Sequence, residues 1–200
     1  MREDLPFSQA SENNKHALLG VFVKKLKDKN SVLEIGGGTG QHAVFFGENF
    51  PNLTWQSTDV EENVSTLNLR ISNAKLNNVP AAFSLNANDS QWDADEYDVI
   101  FTANSLHIMS LESVEKLFAK IRNHLTANGV FLAYGPFKYA GEFTTPSNAD
   151  FDLWLKDRNS GSGVRDFERV NDFAQSAGLI LQEDNSMPAN NQLLVWAKSE

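Results

Sequence analysis

Three glycines separated by single residues stand between a predicted strand and a predicted helix. In VLEIGGGTGQH, Gly36, Gly38 and Gly40 follow a short apolar run and precede an amphipathic stretch. Because glycine has no side chain, a ligand can approach the backbone there and accept hydrogen bonds from the amides that open the helix. We therefore expect a ligand-binding loop, with Glu34 before it and Gln41 after it as further binding candidates.

The glycine spacing separates two classes of nucleotide ligand. Dinucleotide-binding loops read G-x-G-x-x-G, and their third glycine allows close packing of the helix over the pyrophosphate. The matching position here is Gln41. The spacing G-x-G-x-G, with Glu34 two residues ahead, instead resembles the first motif of class I S-adenosylmethionine-dependent methyltransferases. The resemblance implies that Glu34 helps to hold the ammonium group of the cofactor and that the loop wraps its amino-acid end.

Polar residues that suit a nucleoside follow the next two predicted strands. Asp59 ends the second strand, where a carboxylate can accept hydrogen bonds from both ribose hydroxyls, although aspartate there also suits a helix N-cap. Asn86 and Ala87 follow the third strand, where related methyltransferases often carry an acidic and a small residue beside adenine. The amide of Asn86 can donate and accept, with Asp89 as an alternative partner and simple turn formation as another reading.

Candidates for catalysis follow the fourth and fifth predicted strands, at the edge where open α/β sheets bind ligands. Asn104, in TANSLHIMS, is expected to contact the cofactor. His107 is a candidate base, because an imidazole pKa near about 6.5 allows proton transfer, or it packs beneath the following helix. Tyr134 is a second catalytic candidate or a wall of the acceptor pocket. No proline pair or aromatic residue follows Asn104, so it does not begin an N-P-P-Y motif, which argues against methylation of nucleic-acid bases.

Alternating strand and helix patterns must position these residues. A helix over 8–27 is followed by strands in SVLEIG, LTWQSTD, AAFSL, YDVIFTA and GVFLAYG with helices between them, and this order predicts a parallel sheet covered on both faces. Ser110 is expected to cap the fourth helix, and Gly178 to end the last one. LILQED and NQLLVWAK, joined by NSMPAN, predict a C-terminal antiparallel hairpin. The expected fold is α/β and Rossmann-like, with a seven-stranded, mostly parallel sheet.

Residues 136–163 interrupt the alternation. We expect a loop insertion there, with about one helical turn around FDLWLKD, forming the acceptor pocket together with LPFS and MPANN. Candidate walls and polar contacts are Tyr134, Phe137, Tyr139, Phe143, Trp154, Asn148, Asp152, Arg165 and Asp166. Aromatic walls with carboxylates would suit a cationic acceptor, whereas Arg165 would suit a carboxylate, and structural loop contacts are the alternative for each residue.

Composition excludes several classes of protein. The formal charge of −9 opposes binding to nucleic acid and to anionic membranes. The absence of cysteine excludes disulfides, thiolate metal sites and a cysteine nucleophile. No apolar run has the length of a signal peptide or a membrane span. We expect one cytoplasmic domain over 1–200 that binds no metal, and the oligomeric state stays open.

Segments along nearly the whole chain resemble a methyltransferase-like family described as a domain of unknown function. They are LPFSQASENNK, VLEIGGGTGQHAVFF, TWQSTD, ANSLHI, YGPFKYAGEFTTPSNADFD, GVRDFE and MPANN. The sequence departs from the family pattern at Asn13, where arginine is frequent, and at Asn86, where aspartate is. The resemblance implies a class I fold, S-adenosylmethionine as cofactor, and methyl transfer to an unidentified, small-molecule acceptor. The alternatives are a non-catalytic protein that binds this cofactor and, less favoured, an NAD-linked oxidoreductase.

Overall fold

The computed structural model describes residues 5–199, so residues 1–4 and 200 of the predicted domain lie outside the description. The helices are α1 (Gln9–Lys25), α2 (Gln41–Asn49), α3 (Glu61–Ala74), α4 (Leu111–Ile121), α5 (Pro146–Arg158) and α6 (Phe167–Ser176). The strands are β1 (Ser31–Ile35), β2 (Thr54–Asp59), β3 (Phe83–Ser84), β4 (Tyr97–Ala103), β5 (Leu125–Gly135), β6 (Phe137–Tyr139), β7 (Glu142–Phe143), β8 (Arg165–Asp166), β9 (Leu179–Met187) and β10 (Asn191–Lys198).

The described strands form a seven-stranded sheet in the order β3-β2-β1-β4-β5-β10-β9, with helices on both faces, and a small sheet in the order β7-β6-β8. β1 pairs parallel with β2, and β2 pairs parallel with β3. β10 runs antiparallel to both β5 and β9. The predicted Rossmann-like fold, mostly parallel with an antiparallel C-terminal hairpin, is confirmed.

The chain contains two compact units. The first spans Met1–Asn86 and Tyr97–Phe101, and the second Ala87–Glu96 and Thr102–Glu200. Within the first unit, four aromatic side chains with no exposed surface form the centre of the core: Phe22, Phe46, Trp55 and Phe101. Within the second, the core centres on the rings of Phe118, Phe131 and Trp196, with Phe131 stacked on Trp196.

Several helix ends lie where the local sequence predicts them. Ser8 and Ser110 accept hydrogen bonds from backbone amides three residues on, Ser11 and Ser113, and so begin α1 and α4. α1 ends at Lys25, two residues short of the predicted end. Gly178 has φ 72° directly after the last turn of α6, the left-handed conformation expected of a terminating glycine.

Three predicted boundaries differ from those found. The third strand is reduced to β3, which pairs with β2 over two residues only. β5 begins at Leu125, ahead of the predicted strand GVFLAYG, after a short turn of 3-10 helix at Arg122–His124. The first hairpin strand, β9, extends three residues beyond the predicted LILQED, whereas β10 has the predicted bounds, so that Pro188–Asn190 alone connects them.

The prediction of a loop over 136–163 is wrong. The segment contains β6, β7 and the thirteen-residue helix α5. The side chain of Thr145 caps α5 by accepting from the amide of Asn148, and Pro146 occupies the first turn, where its missing N–H is no loss. Asn148, Asp152 and Leu155 are buried on this helix while Leu153 and Trp154 are exposed, so apolar residues alone do not mark its buried face.

Among residues 5–199, no helix is both long enough and apolar enough to cross a bilayer.

Candidate functional site

The glycine loop after β1 is fixed by its own backbone. The amides of Gly36 and Gly37 both donate to the carbonyl of Thr58 at 2.9 Å, and the amide of Gly40 donates to the carbonyl of Gly37 at 3.0 Å. Gly36, Gly38 and Gly40 have φ values of 77°, 56° and 76°. Residues with a Cβ rarely adopt this conformation, so the three spaced glycines are required by the shape of the loop.

Asp59 joins the end of β2 to this loop. Its Oδ2 accepts from the Gly38 amide at 2.7 Å, and its Oδ1 accepts from the Val60 amide at 2.8 Å and from Nδ2 of Asn63 at 2.9 Å. The N-cap of α3 is Val60, one residue later, and it has no side-chain cap. Asp59 is therefore not the cap of this helix. Its carboxylate holds the glycine loop, and Oδ2 keeps one lone pair for a further donor.

The two central glycines of the loop face different surroundings. A Cβ at Gly37 would lie 2.1 Å from Oγ of Ser57, so this side of the loop is packed against β2. A Cβ at Gly38 would meet no atom within 4 Å. The loop thus presents the face at Gly38 to open space, as binding of a ligand requires. The packing role of Gly37 was not predicted, because adjacent glycines hide which one is needed for space.

The carboxylate of Glu34 lies inside the protein behind the loop. Its Oε2 accepts from Nε1 of Trp55 at 2.9 Å and from Oγ of Ser57 at 2.8 Å. The residue is 1% exposed, and burial raises its pKa to about 7, with the charge of Asp59 adding to the rise. These contacts favour support of the loop over direct contact with a bound ammonium group.

A buried histidine extends this cluster to α1. Nε2 of His42 lies 2.7 Å from Oδ1 of Asn14, and its Nδ1 lies 3.7 Å from Oε1 of Glu34. Burial lowers the pKa of His42 to about 4, so the ring is neutral at pH 7. The cluster joins α1, α2, β1 and β2 by polar contacts behind the glycine loop.

Gln41 binds the N-terminal segment. Its Oε1 accepts from the Ser8 amide at 2.5 Å and from Oγ1 of Thr39 at 3.0 Å, and its Nε2 donates to Glu12 at 3.3 Å. Arg70 donates from Nε to the carbonyl of Thr39 at 2.6 Å and from its terminal nitrogen to the carbonyl of Pro6. The start of the chain is therefore tied to the glycine loop.

Two departures from the family pattern occupy different places. Asn13 is exposed and accepts from Nε2 of Gln9 within α1. Asn86 follows β3, whose Ser84 pairs with Asp59, and the Leu85 amide donates to the carbonyl of Asp59 at 2.9 Å. Asn86 is thus close in the chain to a residue that contacts the end of β2, as a role at adenine would require. Ala87 is buried and belongs to the second unit, so its role in binding stays a prediction.

Within the second unit, Asn104 and His107 meet at the end of β5. Asn104 has φ 57°, a left-handed conformation that asparagine tolerates, and its amide donates to the carbonyl of Tyr134 at 2.8 Å. A Cβ at Gly135 would lie 3.5 Å from Nδ1 of His107 and 3.9 Å from Oδ1 of Asn104. Both polar groups therefore border the space left by the missing Gly135 side chain.

His107 is 5% exposed and contacts the ring of Phe151 edge-on at 5.2 Å. Burial, and then the nearby charge of Arg165, lower its pKa to about 4. The imidazole is therefore neutral at pH 7 and can accept a hydrogen bond, although the lowered pKa makes it a weaker base than a free imidazole.

Tyr134, the second catalytic candidate, lies on the other face of β5 from the space beside His107. Burial raises the pKa of its hydroxyl, while a hydrogen bond with Asn191 opposes the rise. Successive side chains of a strand point to opposite faces, so Tyr134 and Gly135 face opposite sides of β5. The structure brings only the backbone of Tyr134 to Asn104, and its catalytic role stays a prediction.

The charged residues proposed for the acceptor pocket are already paired. Arg165 donates to the carbonyls of Leu106 at 3.0 Å, Gly161 at 2.8 Å and Met109. Asp152 accepts from the amide of Val164 at 2.8 Å and contacts Nζ of Lys156 at 2.6 Å. The remaining polar candidates also bind within the unit, Asp166 to the Gly141 amide and Asn148 to Thr144 and the carbonyl of Asn190.

The aromatic candidates divide by exposure. Phe137 is 1% exposed and belongs to the core. Tyr139 stacks on Phe167 and donates its hydroxyl to Asp184 at 2.8 Å. Trp154 is 48% exposed, stacks on Phe151 and lies beneath the guanidinium of Arg158. Phe143 lies beneath Nζ of Lys138. Of these aromatic residues, Trp154 is joined to His107 through Phe151, which stacks on Trp154 and contacts the imidazole ring.

A protein-family model described as "Protein of unknown function (DUF938)" matches residues 5–198. Among solved structures, an O-methyltransferase family protein from Burkholderia thailandensis superposes with a TM-score of 0.81 at 20% identity, covering 95% of this chain and 56% of that chain. Human N-acetylserotonin methyltransferase, in complex with S-adenosylmethionine, gives a TM-score of 0.75 at 17% identity, covering 95% and 53%.

PigF, solved with S-adenosylhomocysteine, gives a TM-score of 0.78 at 16% identity, covering 94% of this chain and 63% of that one. At these identities the likeness shows a shared fold. This chain spans little more than half the length of the first of these proteins, 56%.

Proposed function

This chain belongs to the family described as "Protein of unknown function (DUF938)", and from that premise and the geometry of its glycine loop we propose that it is an S-adenosylmethionine-dependent methyltransferase with a small-molecule acceptor. The observation that carries the proposal is the hydrogen bond from the Gly38 amide to Asp59, beside the open face of the loop. The fold shared with methyltransferases solved with S-adenosylmethionine or S-adenosylhomocysteine supports it.

The first unit would hold the cofactor. The open face at Gly38 leaves room for the amino-acid end, with Gly36, Gly40 and Gln41 shaping the loop around it. Oδ2 of Asp59 would accept a ribose hydroxyl through its remaining lone pair. Asn86 would pair with the edge of adenine, and Ala87 and Asn104 stay predicted cofactor contacts.

When bound, S-adenosylmethionine supplies a methyl group already activated by its sulfonium sulfur, so the protein chiefly has to orient the acceptor and exclude water. We assign His107 the proton that the acceptor loses as its new bond to the methyl carbon forms. The buried ring is neutral at pH 7 and can accept a hydrogen bond from that group, and because burial lowers its pKa to about 4 it passes the proton on to water. Glu34 would act indirectly, by supporting the loop through Ser57 and Trp55.

A thermal-shift comparison of S-adenosylmethionine, S-adenosylhomocysteine and NAD tests the proposal. A ligand at 100 times its Kd adds about 2.7 kcal/mol to the free energy of unfolding, a clear shift for a chain of this size. We expect both adenosyl ligands to stabilise the protein and NAD to leave it unchanged. Stabilisation by NAD alone would show an oxidoreductase instead. A radiolabelled-methyl assay over a small-molecule acceptor panel then separates a methyltransferase from a protein that only binds the cofactor.

A further inference from the structure

A buried oxygen without a hydrogen bond lies near the catalytic candidate of the second unit. Oε1 of Gln192 is enclosed by protein, and no donor among the described residues reaches it. Burial of a polar atom without a partner disfavours folding, and native structures contain few such atoms. An unpaired acceptor of this kind needs a reason, and one reason is a ligand that supplies the missing donor.

The strand register places Gln192 beside Gly135, whose missing side chain faces His107. Gln192, on β10, lies directly opposite Gly135, on β5. Side chains of directly opposite residues in antiparallel strands share one face of the sheet, with Cβ atoms about 5 Å apart. On that face, the missing side chain of Gly135 leaves a space bordered by Nδ1 of His107 and Oδ1 of Asn104. We call the group formed by Gly135, Gln192, His107 and Asn104 the Gly135 niche.

The niche has polar atoms but no free charge. His107 is neutral at pH 7, because burial lowers its pKa to about 4. The nearby cation, Arg165, donates to three backbone carbonyls. Asp152 is held by the Val164 amide and Lys156. The arrangement therefore favours a neutral ligand over the cationic and carboxylate acceptors that the sequence left open.

We propose that Gln192 determines acceptor specificity, its carboxamide oxygen receiving a hydrogen bond from a second O–H or N–H group next to the one that is methylated. The proposal rests on the proposed function. The substrate class is a neutral molecule with two adjacent hydrogen-bond donors, one at His107 and one at Gln192. The terminal torsion of glutamine is soft, so the oxygen can turn toward a donor in the niche at little energetic cost.

Stability gives a test that needs no substrate. In the Gln192→Leu variant the unpaired buried oxygen is removed with the carboxamide, so no hydrogen bond at that oxygen is lost and the burial of a polar atom is relieved. We expect the melting temperature to stay the same or to rise by about 2–4 °C, the shift that about 1 kcal/mol produces in a chain of this length. The matched control is Gln182→Leu on the neighbouring strand, where the glutamine is exposed. A clear fall in melting temperature for Gln192→Leu alone would show a structural glutamine and overturn the proposal.

Binding of three related probes gives the second test. Catechol, guaiacol and veratrole share one ring and carry two, one and no hydroxyl donors. With S-adenosylhomocysteine present, we expect calorimetry to show catechol binding the unsubstituted protein and Gln182→Leu about tenfold more tightly than guaiacol, which keeps one donor for His107 and lacks the second; this is the ratio that one hydrogen bond of about 1.4 kcal/mol produces. Gln192→Leu is expected to bind catechol and guaiacol equally, and veratrole, without a donor, is expected to bind every variant more weakly than guaiacol.

An unchanged preference for catechol in Gln192→Leu, or no binding of catechol to the unsubstituted protein, overturns the role of Gln192. The same samples report on the cofactor. If S-adenosylhomocysteine gives its expected thermal shift but the unsubstituted protein shows no preference for catechol, this inference alone is refuted. If S-adenosylhomocysteine gives no thermal shift in the unsubstituted protein, the proposed function is refuted.

Discussion

Cofactor binding was inferred from two sequence features, the glycine loop and Asp59, and the structure joins them directly. The glycine loop and the carboxylate lie 21 positions apart at the Gly38–Asp59 bond, yet they meet at 2.7 Å. The alternative that Asp59 only caps a helix fails, because the N-cap is Val60. The same oxygen that holds the loop has a lone pair available for a ribose hydroxyl, so loop shape and cofactor affinity should depend on one side chain.

The variant Asp59→Ala tests this dependence. It removes the acceptor for three donors, and we expect the protein to remain folded with a loss of about 1–3 kcal/mol in the free energy of unfolding. Its thermal shift with S-adenosylmethionine should disappear. Asp28→Ala, at an exposed position after α1, should keep the full shift. A full shift in Asp59→Ala would remove Asp59 from the cofactor site.

Two neighbouring glycines should respond oppositely to the same substitution. Gly37→Ala places a Cβ 2.1 Å from Oγ of Ser57, so it should chiefly lower stability. Gly38→Ala meets no atom within 4 Å, and its left-handed φ of 56° costs only about 1–2 kcal/mol. Its methyl group would occupy the space offered to the cofactor, so it should chiefly weaken binding of S-adenosylmethionine.

Calorimetric titration together with urea unfolding of both variants separates these effects. Gly20→Ala, within α1 and without a close contact, is a control that should leave binding unchanged. Equal cofactor affinity in Gly38→Ala and the unsubstituted protein would show that the open face is not the binding face.

Residue types and spacing were sufficient to predict the glycine loop and the position of Asp59 at the end of β2, because both depend on local backbone geometry at strand ends. They could not predict where Glu34 points, since its burial against Trp55 and Ser57 depends on contacts across strands. Gln192 was missed for a similar reason. A glutamine at the start of a strand is ordinary, and only the register opposite Gly135 gives it significance.

At the scale of elements, the start of α1 is held by α2 and α3 through two side chains. Gln41 accepts from the Ser8 amide, and Arg70 donates to Pro6 and Thr39. These bonds connect the N-terminal segment to the glycine loop, so local opening of the segment should accompany local opening of the loop.

The variant Gln41→Leu tests that coupling. It removes the acceptor of the Ser8 amide, and we expect this amide to exchange its hydrogen faster, since exchange reports local opening. Hydrogen-exchange mass spectrometry of peptides covering the start of α1 measures the change. Gln9→Leu, whose glutamine binds only Asn13 on the exposed side of α1, is the matched control. Unchanged exchange in Gln41→Leu would mean that Gln41 does not hold the segment.

Helix α5 shows why element prediction failed over 136–163. The glycines and prolines of this segment are typical of a loop, but Pro146 lies in the first turn of α5, and Gly141 and Gly163 lie outside the helix. Amphipathicity gave no help, because the buried face carries Asn148 and Asp152. Elements with a regular apolar stripe, such as α4, were predicted as helices, and the start of α4 after Ser110 is confirmed.

At the scale of the whole molecule, the regular alternation of strands and helices was enough to predict the sheet. Parallel strands need crossover helices, and the short connection after β9 allows only antiparallel pairing. The match to methyltransferases over 95% of this chain agrees with that topology. Strand register, which brings distant polar groups together, is not encoded in such patterns.

Three buried titratable groups should affect stability differently as the pH falls. Burial lowers the pKa of His42 and of His107 to about 4, so protons favour the unfolded chain and stability is lost between about pH 6.5 and 4. Burial raises the pKa of Glu34 to about 7, so its contribution is present below about pH 4.5 and is lost as the pH rises through 7.

The variant Glu34→Gln isolates one of these contributions. Its carboxamide oxygen can still accept from Trp55 and Ser57, but it does not titrate. We expect its free energy of unfolding, relative to the unsubstituted protein, to rise from pH 5 to pH 8 by up to about 1.4 kcal/mol per pH unit. Urea unfolding at both pH values measures this. A difference independent of pH would show that Glu34 titrates normally.

The central claim is that the loop from Gly36 to Gly40 and Asp59 together hold an adenosyl cofactor. A crystal structure with saturating S-adenosylhomocysteine tests it most directly. We predict a ribose hydroxyl within hydrogen-bonding distance of Oδ2 of Asp59 and the amino-acid end of the ligand against Gly38. A ligand bound away from Asp59, or a loop whose open face is filled by the protein's own side chains, would contradict the account.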